Sequence, residues 1–210
     1  MSRTTSFKLV LLGESAVGKS SLVLRFVRSR LSDERALADV VAAAFLTQTV
    51  KLDETTNIKF EIWDTTKDCV VADTYVGAGY KSLAPIYFRN SNAAVIVYDI
   101  TQTSFEKAKS WVRELQRQAD PSTIIMLVGN KLDLASARKT TTELGQRFAE
   151  EEGLLFAEAS AKTGEGVQEL FMEIAKKLPL APPPQRSTQG GKNGVKVQGQ
   201  TTEIPSACSC

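Results

Sequence analysis

Residues 13–20 have the types and spacing of a phosphate-binding loop. They read Gly-Glu-Ser-Ala-Val-Gly-Lys-Ser, and they lie between an apolar run, residues 7–12, and the apolar positions of an amphipathic helix. Glycines let the backbone bend until its N–H groups converge on phosphate oxygens, and the helix N-terminus adds positive charge. We expect Lys19 to reach the β- and γ-phosphates and the Ser20 hydroxyl to bind Mg²⁺. The predicted phosphate-binding residues are Gly13, Ser15, Ala16, Val17, Gly18, Lys19, Ser20 and Ser21.

A second polar motif predicts which base is bound. Asn130, Lys131 and Asp133 follow residues 123–128, an apolar run typical of a buried strand. A carboxylate such as that of Asp133 can accept two hydrogen bonds from the N1–H and N2–H₂ edge of guanine. Adenine has no such pair of donors there, so it would leave a buried charge unpaired. The motif therefore predicts guanine selectivity.

A third loop, Ser160-Ala161-Lys162, follows the apolar residues 154–156. Together with the two preceding motifs, in this order and spacing, it closely resembles the small Ras-like GTPases. In that family an Asn-Lys-x-Asp motif recognises guanine, and a Ser-Ala-Lys loop offers a backbone N–H to the guanine O6 atom. The resemblance implies a guanine site that contains Asn130, Lys131 and Asp133 together with Ser160, Ala161 and Lys162.

The elements that position these motifs are predicted to form an α/β fold. Apolar runs alternate with helical patterns, which indicates a mostly parallel sheet covered on both faces. A turn at residues 53–56 joins two runs into a hairpin, which adds one antiparallel edge strand. The resemblance implies the three-layer P-loop NTPase fold with six strands. The predicted strands are residues 7–12, 45–50, 57–63, 93–100, 123–128 and 154–156.

Two capping boxes predict where helices begin. Thr103 with Glu106 precedes one apolar stripe, and Thr140 with Glu143 precedes another. We interpret the apolar stripes as core rather than as binding grooves. They comprise Phe105, Ala108, Val112 and Leu115, then Leu144 and Phe148, and last Val167, Leu170, Phe171, Ile174 and Leu178.

Size and composition allow one sizeable core plus a tail. The 210 residues are 42% hydrophobic and 24% charged, which is ordinary for a globular domain, and the net charge of +2 gives no reason to expect nucleic-acid binding. No apolar run is long enough to span a membrane, and residues 1–6 do not resemble a signal peptide, so we expect synthesis in the cytosol. The absence of histidine excludes a histidine base or metal ligand, and three cysteines do not suggest a disulfide framework.

The C-terminal segment is predicted to be a lipidated tail. Residues 1–178 are expected to form the GTPase domain. Residues 179–210, rich in Pro, Gly, Gln, Ser and Thr, are expected to be disordered. The chain ends with Cys208 and Cys210, similar to Rab GTPases, which end in Cys-x-Cys or Cys-Cys and carry a geranylgeranyl group on each cysteine. Two lipid chains would anchor the chain firmly to a membrane. The alternative is a pair of exposed thiols.

Residues 43–48, 59–65, 82–85 and 97–101 resemble the early-endosomal branch of the Rab family. The resemblance implies a guanine-nucleotide-dependent switch of endocytic vesicle traffic that binds GTP or GDP with Mg²⁺ and hydrolyses GTP. It also implies exchange factors, GTPase-activating proteins, effectors and a prenyl-lipid chaperone as partners. The implied location is the cytosolic face of endosomal membranes, in exchange with the cytosol. The implied effector-facing residues are Phe45, Trp63 and Tyr80, each of which has core packing as the alternative, and for Trp63 the two roles are compatible.

Two segments depart from the Rab pattern, and the first lies before Ala43. The family has Thr-Ile-Gly where this chain has Val40-Val41-Ala42, and residues 28–39 are longer than usual and match poorly. In the family that threonine gives Mg²⁺ a hydroxyl ligand and senses the γ-phosphate. Val40 has no side-chain oxygen, so one metal ligand is missing.

The second departure is residues 66–79, where the family has Ala-Gly-Gln-Glu-Arg. Asp64 remains, and we expect it to hold Mg²⁺ through a water. The family's glutamine, which orients the attacking water, is absent, and Asp68 or Gly77 takes its place according to how the segment is aligned. An aspartate would add negative charge where the transition state needs positive charge, so no catalytic residue is assigned.

Two explanations of these departures stay open. One is a natural GTPase with altered switching, and the other is a retained intron or a misplaced splice boundary in each segment. Two functions correspondingly compete: an active switch, and a guanine-nucleotide-binding module with little or no hydrolysis. Asp133 argues against a third class, the P-loop ATPases and kinases.

Overall fold

The computed structural model describes residues 3–28, 45–64 and 89–180, which belong to one compact unit of the chain, Met1–Leu180. In chain order the strands of this part are β1 (Arg3–Leu12), β2 (Phe45–Lys51), β3 (Thr56–Asp64), β4 (Ala93–Asp99), β5 (Ile124–Asn130) and β6 (Leu155–Ala159). The α-helices are α1 (Lys19–Arg28), α2 (Ser104–Gln118), α3 (Thr142–Glu151) and α4 (Val167–Lys177), and a 3₁₀-helix spans Leu132–Ala137. None of these helices is both long and apolar enough to cross a membrane.

The strands form one sheet in the order β2-β3-β1-β4-β5-β6. Only β2 is antiparallel to its neighbour, and the other four pairings among the described strands are parallel. Central β4 is buried along its whole length, as expected for a parallel strand covered on both faces. The predicted mostly parallel, six-stranded sheet with an antiparallel edge strand is confirmed.

The sheet separates two hydrophobic cores, because successive side chains of a strand point to opposite faces. In β1, Leu9 and Leu11 join the core that α1 and α4 cover, whereas Val10 and Leu12 join the core under α2 and α3. The rings of Phe26 and Phe171 stack in the first core with centroids 3.8 Å apart. The apolar stripes of the helices therefore form the core, as predicted.

The starts of α3 and β1 differ from the sequence predictions, and the predicted cap of α2 is confirmed only in its position. The N-cap of α3 is Thr141 rather than Thr140, and its hydroxyl accepts a hydrogen bond from the Leu144 N–H at 3.3 Å. Thr103 does precede α2, but its side chain makes no capping hydrogen bond. Strand β1 begins at Arg3 instead of residue 7, because its polar first half pairs with β3 through the backbone, which needs no apolar side chains.

Candidate nucleotide-binding site

The carboxyl ends of the parallel strands lie along one edge of the sheet, the usual place for ligands in such folds. β1 leads into residues 13–18, β3 ends at Asp64, and β4 ends at Asp99. β5 ends at Asn130, and β6 leads into Ser160. Motifs that are far apart in sequence are therefore neighbours at this edge.

Glycine is required at both ends of the loop of residues 13–18. Gly13 and Gly18 have φ angles of +143° and +96°, which residues other than glycine rarely adopt. A Cβ atom on Gly13 would lie 2.2 Å from the Val97 carbonyl oxygen, and one on Gly18 would lie 2.3 Å from Asn130 Nδ2. The loop is thus packed against the ends of β4 and β5 and has no room for larger residues.

Lys19 lies across this loop. Its buried ammonium group donates hydrogen bonds to the carbonyl oxygens of Gly13 at 2.8 Å and Glu14 at 2.7 Å. The side chain is thereby held over the loop, close to the backbone N–H groups that follow Gly13. This places one fixed positive charge beside the N-terminus of α1, a favourable arrangement for an anion.

Ser20 and Asp64, the two predicted metal ligands, are in contact. The Ser20 hydroxyl donates to Asp64 Oδ2, and Asp64 is buried at the end of β3. A hydroxyl and a carboxylate are hard oxygen ligands of the kind that Mg²⁺ prefers. The donor set of these two side chains therefore fits Mg²⁺, and Ser20 lies in the first turn of α1, directly after the loop of residues 13–18.

Asn130 connects the phosphate loop to the third loop. Its side-chain Nδ2 donates to the Val17 carbonyl oxygen at 2.8 Å, and its Oδ1 accepts from the Ala161 N–H at 3.1 Å. The residue is buried, so water does not compete for these bonds. Asn130 therefore links the two loops through hydrogen bonds to both of them.

Asp133 has a fixed orientation. One carboxylate oxygen accepts from the Ser160 hydroxyl at 2.6 Å, and the other lies 3.7 Å from the Lys162 ammonium. A carboxylate has about four lone-pair sites, so acceptor capacity remains for a donor pair on a base. The residue lies in the 3₁₀-helix Leu132–Ala137, which the sequence analysis did not predict.

Asp99 is a site residue that the sequence analysis missed. Its fully buried carboxylate lies 2.7 Å from the ammonium group of Lys131, and it accepts hydrogen bonds from the Thr101 N–H and hydroxyl. Burial alone would raise the pKa of Asp99, but the hydrogen bonds from Lys131 and Thr101 outweigh it and hold that pKa below its ordinary value. The sequence signal that could have identified Asp99 is its position at the end of an apolar strand.

The structure describes only some of the remaining positions that the sequence analysis predicted. Trp63 is half-buried, and the Lys8 ammonium lies 5.1 Å from its ring centroid. Phe45 is paired with Trp63 in the β2–β3 ladder, but its side chain is outside the described part of the structure. The positions that lie wholly outside the described residues are residues 29–39, Val40-Val41-Ala42, residues 66–79, Tyr80, residues 82–85 and residues 181–210, which include Cys208 and Cys210.

Comparison with known proteins identifies the family of this chain. The model of the Ras family matches residues 8–180, which is well over half of the chain. The chain belongs to the Ras family. Proteins of this family are GTPases that bind GTP or GDP with Mg²⁺.

Two similar proteins indicate the branch of the Ras family. The "GTP-binding protein ypt5" of Schizosaccharomyces pombe is 51% identical over 211 residues, covering 99% of this chain and 95% of that protein. The "Ras-related protein Rab-5A" of Dictyostelium discoideum is 56% identical over 192 residues, covering 91% of this chain and 88% of that protein. The predicted resemblance of this Ras-family chain to the Rab family and its early-endosomal branch is confirmed.

Proposed function

We propose that this chain is a guanine-nucleotide-dependent switch of endocytic vesicle traffic that binds GTP and GDP and hydrolyses GTP. The observation that carries the proposal is the Asp133 carboxylate, which is oriented by Ser160 and lies at the same sheet edge as Lys19. Membership of the Ras family and similarity to two Rab5-type proteins support it.

The site binds the two ends of a nucleotide with different groups. Asp133 accepts the N1–H and N2–H₂ donors of guanine, and the N–H groups of residues 13–18 with Lys19 bind the phosphates. Ser20 and Asp64 would hold Mg²⁺, which when bound neutralises charge on the phosphate oxygens. Asn130, which hydrogen-bonds Val17 and Ala161, joins the loop at the phosphate end to the loop at the base end.

The location and partners follow from the same family. Rab membership implies exchange factors, GTPase-activating proteins and effectors, and the similar proteins imply endosomal association. We further propose that effectors contact Phe45, Trp63 and Tyr80. We also propose that residues 179–210 form a tail lipidated at Cys208 and Cys210, which a prenyl-lipid chaperone binds as the chain cycles between the cytosol and the cytosolic face of endosomal membranes.

Nucleotide competition tests the base specificity. GDP should bind at least about 10²-fold more tightly than ADP, because adenine leaves the Asp133 charge unpaired. Asp133→Asn should lose GDP affinity by a similar factor and gain affinity for xanthosine diphosphate, whose N1–H and O2 match an amide. Asp120→Asn, in an exposed loop, is the matched control. Equal competition by ADP and GDP would contradict the proposal.

Single-turnover hydrolysis tests the GTPase activity. We expect hydrolysis that requires Lys19, at a rate about 10²–10³-fold below that of an intact Rab protein, because the metal threonine and the water-orienting glutamine are replaced. Putting Thr-Ile-Gly at residues 40–42 and Ala-Gly-Gln-Glu-Arg in place of residues 66–79 should restore the rate. A rate unaffected by Lys19→Ala would contradict the assignment.

A further inference from the structure

Arg25 contacts the Ser160-Ala161-Lys162 loop from helix α1. Its Nε donates to the Ala161 carbonyl oxygen at 2.9 Å, and a second guanidinium nitrogen donates to the Lys162 carbonyl oxygen. The side chain is half-buried. A planar guanidinium has donors in a fixed fork, so it can bind two successive carbonyls at once, whereas a lysine ammonium is a single point charge.

The conformation of the loop of residues 160–164 directs the Ala161 and Lys162 carbonyl oxygens toward Arg25. Its turn is closed by a hydrogen bond from the Gly164 N–H to the Ser160 carbonyl oxygen at 2.8 Å. Gly164 has a φ of +94°, and a Cβ atom there would lie 3.5 Å from Arg25 Cδ. The stem of Arg25 therefore lies against the glycine turn while its guanidinium group reaches past it to the two carbonyls.

The Ala161 residue is consequently held on both sides. Its N–H donates to Asn130 Oδ1 at 3.1 Å, and its carbonyl oxygen accepts from Arg25 Nε at 2.9 Å. Arg25 also belongs to the helix that begins with Lys19 and Ser20, and it lies about 9 Å further along the axis at about 1.5 Å per residue. One rigid element thus connects the phosphate end of the site with the loop at the base end.

We propose that Arg25 is a positioning residue of the base site: it holds the Ala161 backbone so that the Ala161 N–H, which donates to Asn130 Oδ1 in this structure, can donate to the O6 atom of guanine when the nucleotide is bound. The inference rests on the proposed guanine-nucleotide function and adds a residue that does not touch the nucleotide. Arg25 bonds the carbonyl oxygens of Ala161 and Lys162 and not the Ser160 hydroxyl that orients Asp133, so its loss should weaken the hydrogen bond to O6 more than the Asp133 contacts with N1 and N2.

Nucleotide release measures the overall effect. Arg25→Ala should release a fluorescent GDP analogue about tenfold faster than the wild type, since a charge-assisted hydrogen bond is lost. Arg25→Lys should give an intermediate rate, because it keeps the positive charge but has a single donor nitrogen in place of the two that bond the loop. Arg147→Ala is the matched control, since the side chain of Arg147 is 70% exposed and its nearest carboxylate contact is 3.8 Å. That control should release GDP at the wild-type rate.

A guanine analogue separates positioning from mere folding. In 6-thioguanosine diphosphate a sulfur atom, a weaker acceptor, replaces O6 while N1–H and N2–H₂ remain. The wild type should prefer GDP over this analogue, and Arg25→Ala should reduce that preference toward unity, as in a double-mutant cycle. A purely structural role would weaken both nucleotides by the same factor and leave the preference unchanged.

The outcomes distinguish this inference from the proposed function. A wild type that does not prefer GDP over ADP overturns both. A wild type that does, combined with an unchanged preference for GDP over the thio analogue in Arg25→Ala, overturns only the positioning role. If the alanine variant does not fold, Arg25→Lys carries the test: a reduced preference supports the inference, and the wild-type preference overturns it.

Discussion

At the scale of single residues, buried polar side chains hold the loops of the site together. Asp99, Asn130 and Ser160 have almost no exposed surface, and each bonds a group on a different segment or turn. Polar groups that are removed from water must find partners, and these find them at the edge where strands end. The geometry of the base site therefore depends on residues that face inward.

The role of Ser20 in metal binding can be tested by substitution. Ser20→Asn should weaken the Mg²⁺-dependent GTP complex more than the GDP complex, because the hydroxyl that contacts Asp64 is a proposed ligand of the Mg²⁺ that would bridge the β- and γ-phosphates. Affinities for both nucleotides, measured with Mg²⁺ and with a chelator, check this. Ser110→Asn, on the exposed face of α2, is the control. Nucleotide affinity that is indifferent to Mg²⁺ would contradict the assigned role.

The Asp99–Lys131 pair should make stability depend on pH. At pH 7 Asp99→Asn should lower the free energy of unfolding by about 2 kcal/mol, because a buried carboxylate that pairs with an ammonium is replaced by a neutral amide. The folded-state pKa of Asp99 is lowered, so its contribution is present above the ordinary value of about 4 and is lost as the pH falls through the folded-state pKa.

Urea unfolding of the GDP complexes at pH 7, 5 and 3 measures this dependence. The wild type and Asp99→Asn should differ at pH 7 and 5 and approach each other at pH 3. A difference that grows as the pH falls would show that the carboxylate does not stabilise the folded chain in the way described.

At the scale of elements, the sheet and α1 position the chemistry. Parallel strands share the direction of their carboxyl ends, so the loops after β1, β4, β5 and β6 must lie near one another. The turn after the 3₁₀-helix is fastened to this edge by Arg138, which forms two hydrogen bonds with the Glu158 carboxylate. Glu158 also accepts from the Thr142 hydroxyl at the start of α3.

Glu158→Gln should lower the free energy of unfolding by about 2 kcal/mol, because it breaks a largely buried, two-bonded ion pair. Glu151→Gln is the matched control. Glu151 pairs with Arg147 at 3.8 Å on the surface, and loss of such a pair costs at most about 0.5 kcal/mol. Urea unfolding of the GDP-bound chains compares the two. Equal effects of the two substitutions would contradict the assigned difference.

At the scale of the whole molecule, a nucleotide-binding unit is followed by a C-terminal segment with a different composition. The family match ends at residue 180, and the two terminal cysteines lie beyond it. The proposed function requires both parts, because nucleotide binding alone does not bring the chain to a membrane. Lipidation would supply that step through hydrophobic chains of low water solubility.

Membrane attachment is expected to need both terminal cysteines. In eukaryotic cells, replacing Cys208 and Cys210 by serine should leave a nucleotide-binding protein in the cytosolic fraction. Replacing one of them should give reversible attachment, since a single lipid chain binds marginally. Fractionation and mass spectrometry measure both effects, and Cys69→Ser is the control for loss of a thiol elsewhere. The absence of lipid on either terminal cysteine would contradict the anchor.

The amino-acid sequence by itself determined the parts of this protein that are contiguous in the chain. The glycine loop with Lys19 and Ser20, the motif that ends at Asp133 and the apolar strands were all evident, because each depends on residues that are neighbours in sequence. The alternation of strand and helix patterns was likewise enough for the fold class, since only a few connections of such units are sterically favourable.

Tertiary structure alone decided the pairings between distant segments. Three contacts join residues from different elements: Ser20 with Asp64, Lys131 with Asp99, and Arg25 with the carbonyl oxygens of the third loop. The start of β1 at Arg3 also depends on its partner strand rather than on its own polar residues. The physical reason is that these contacts arise from sheet order and strand register, which bring side chains together only after the whole core has packed.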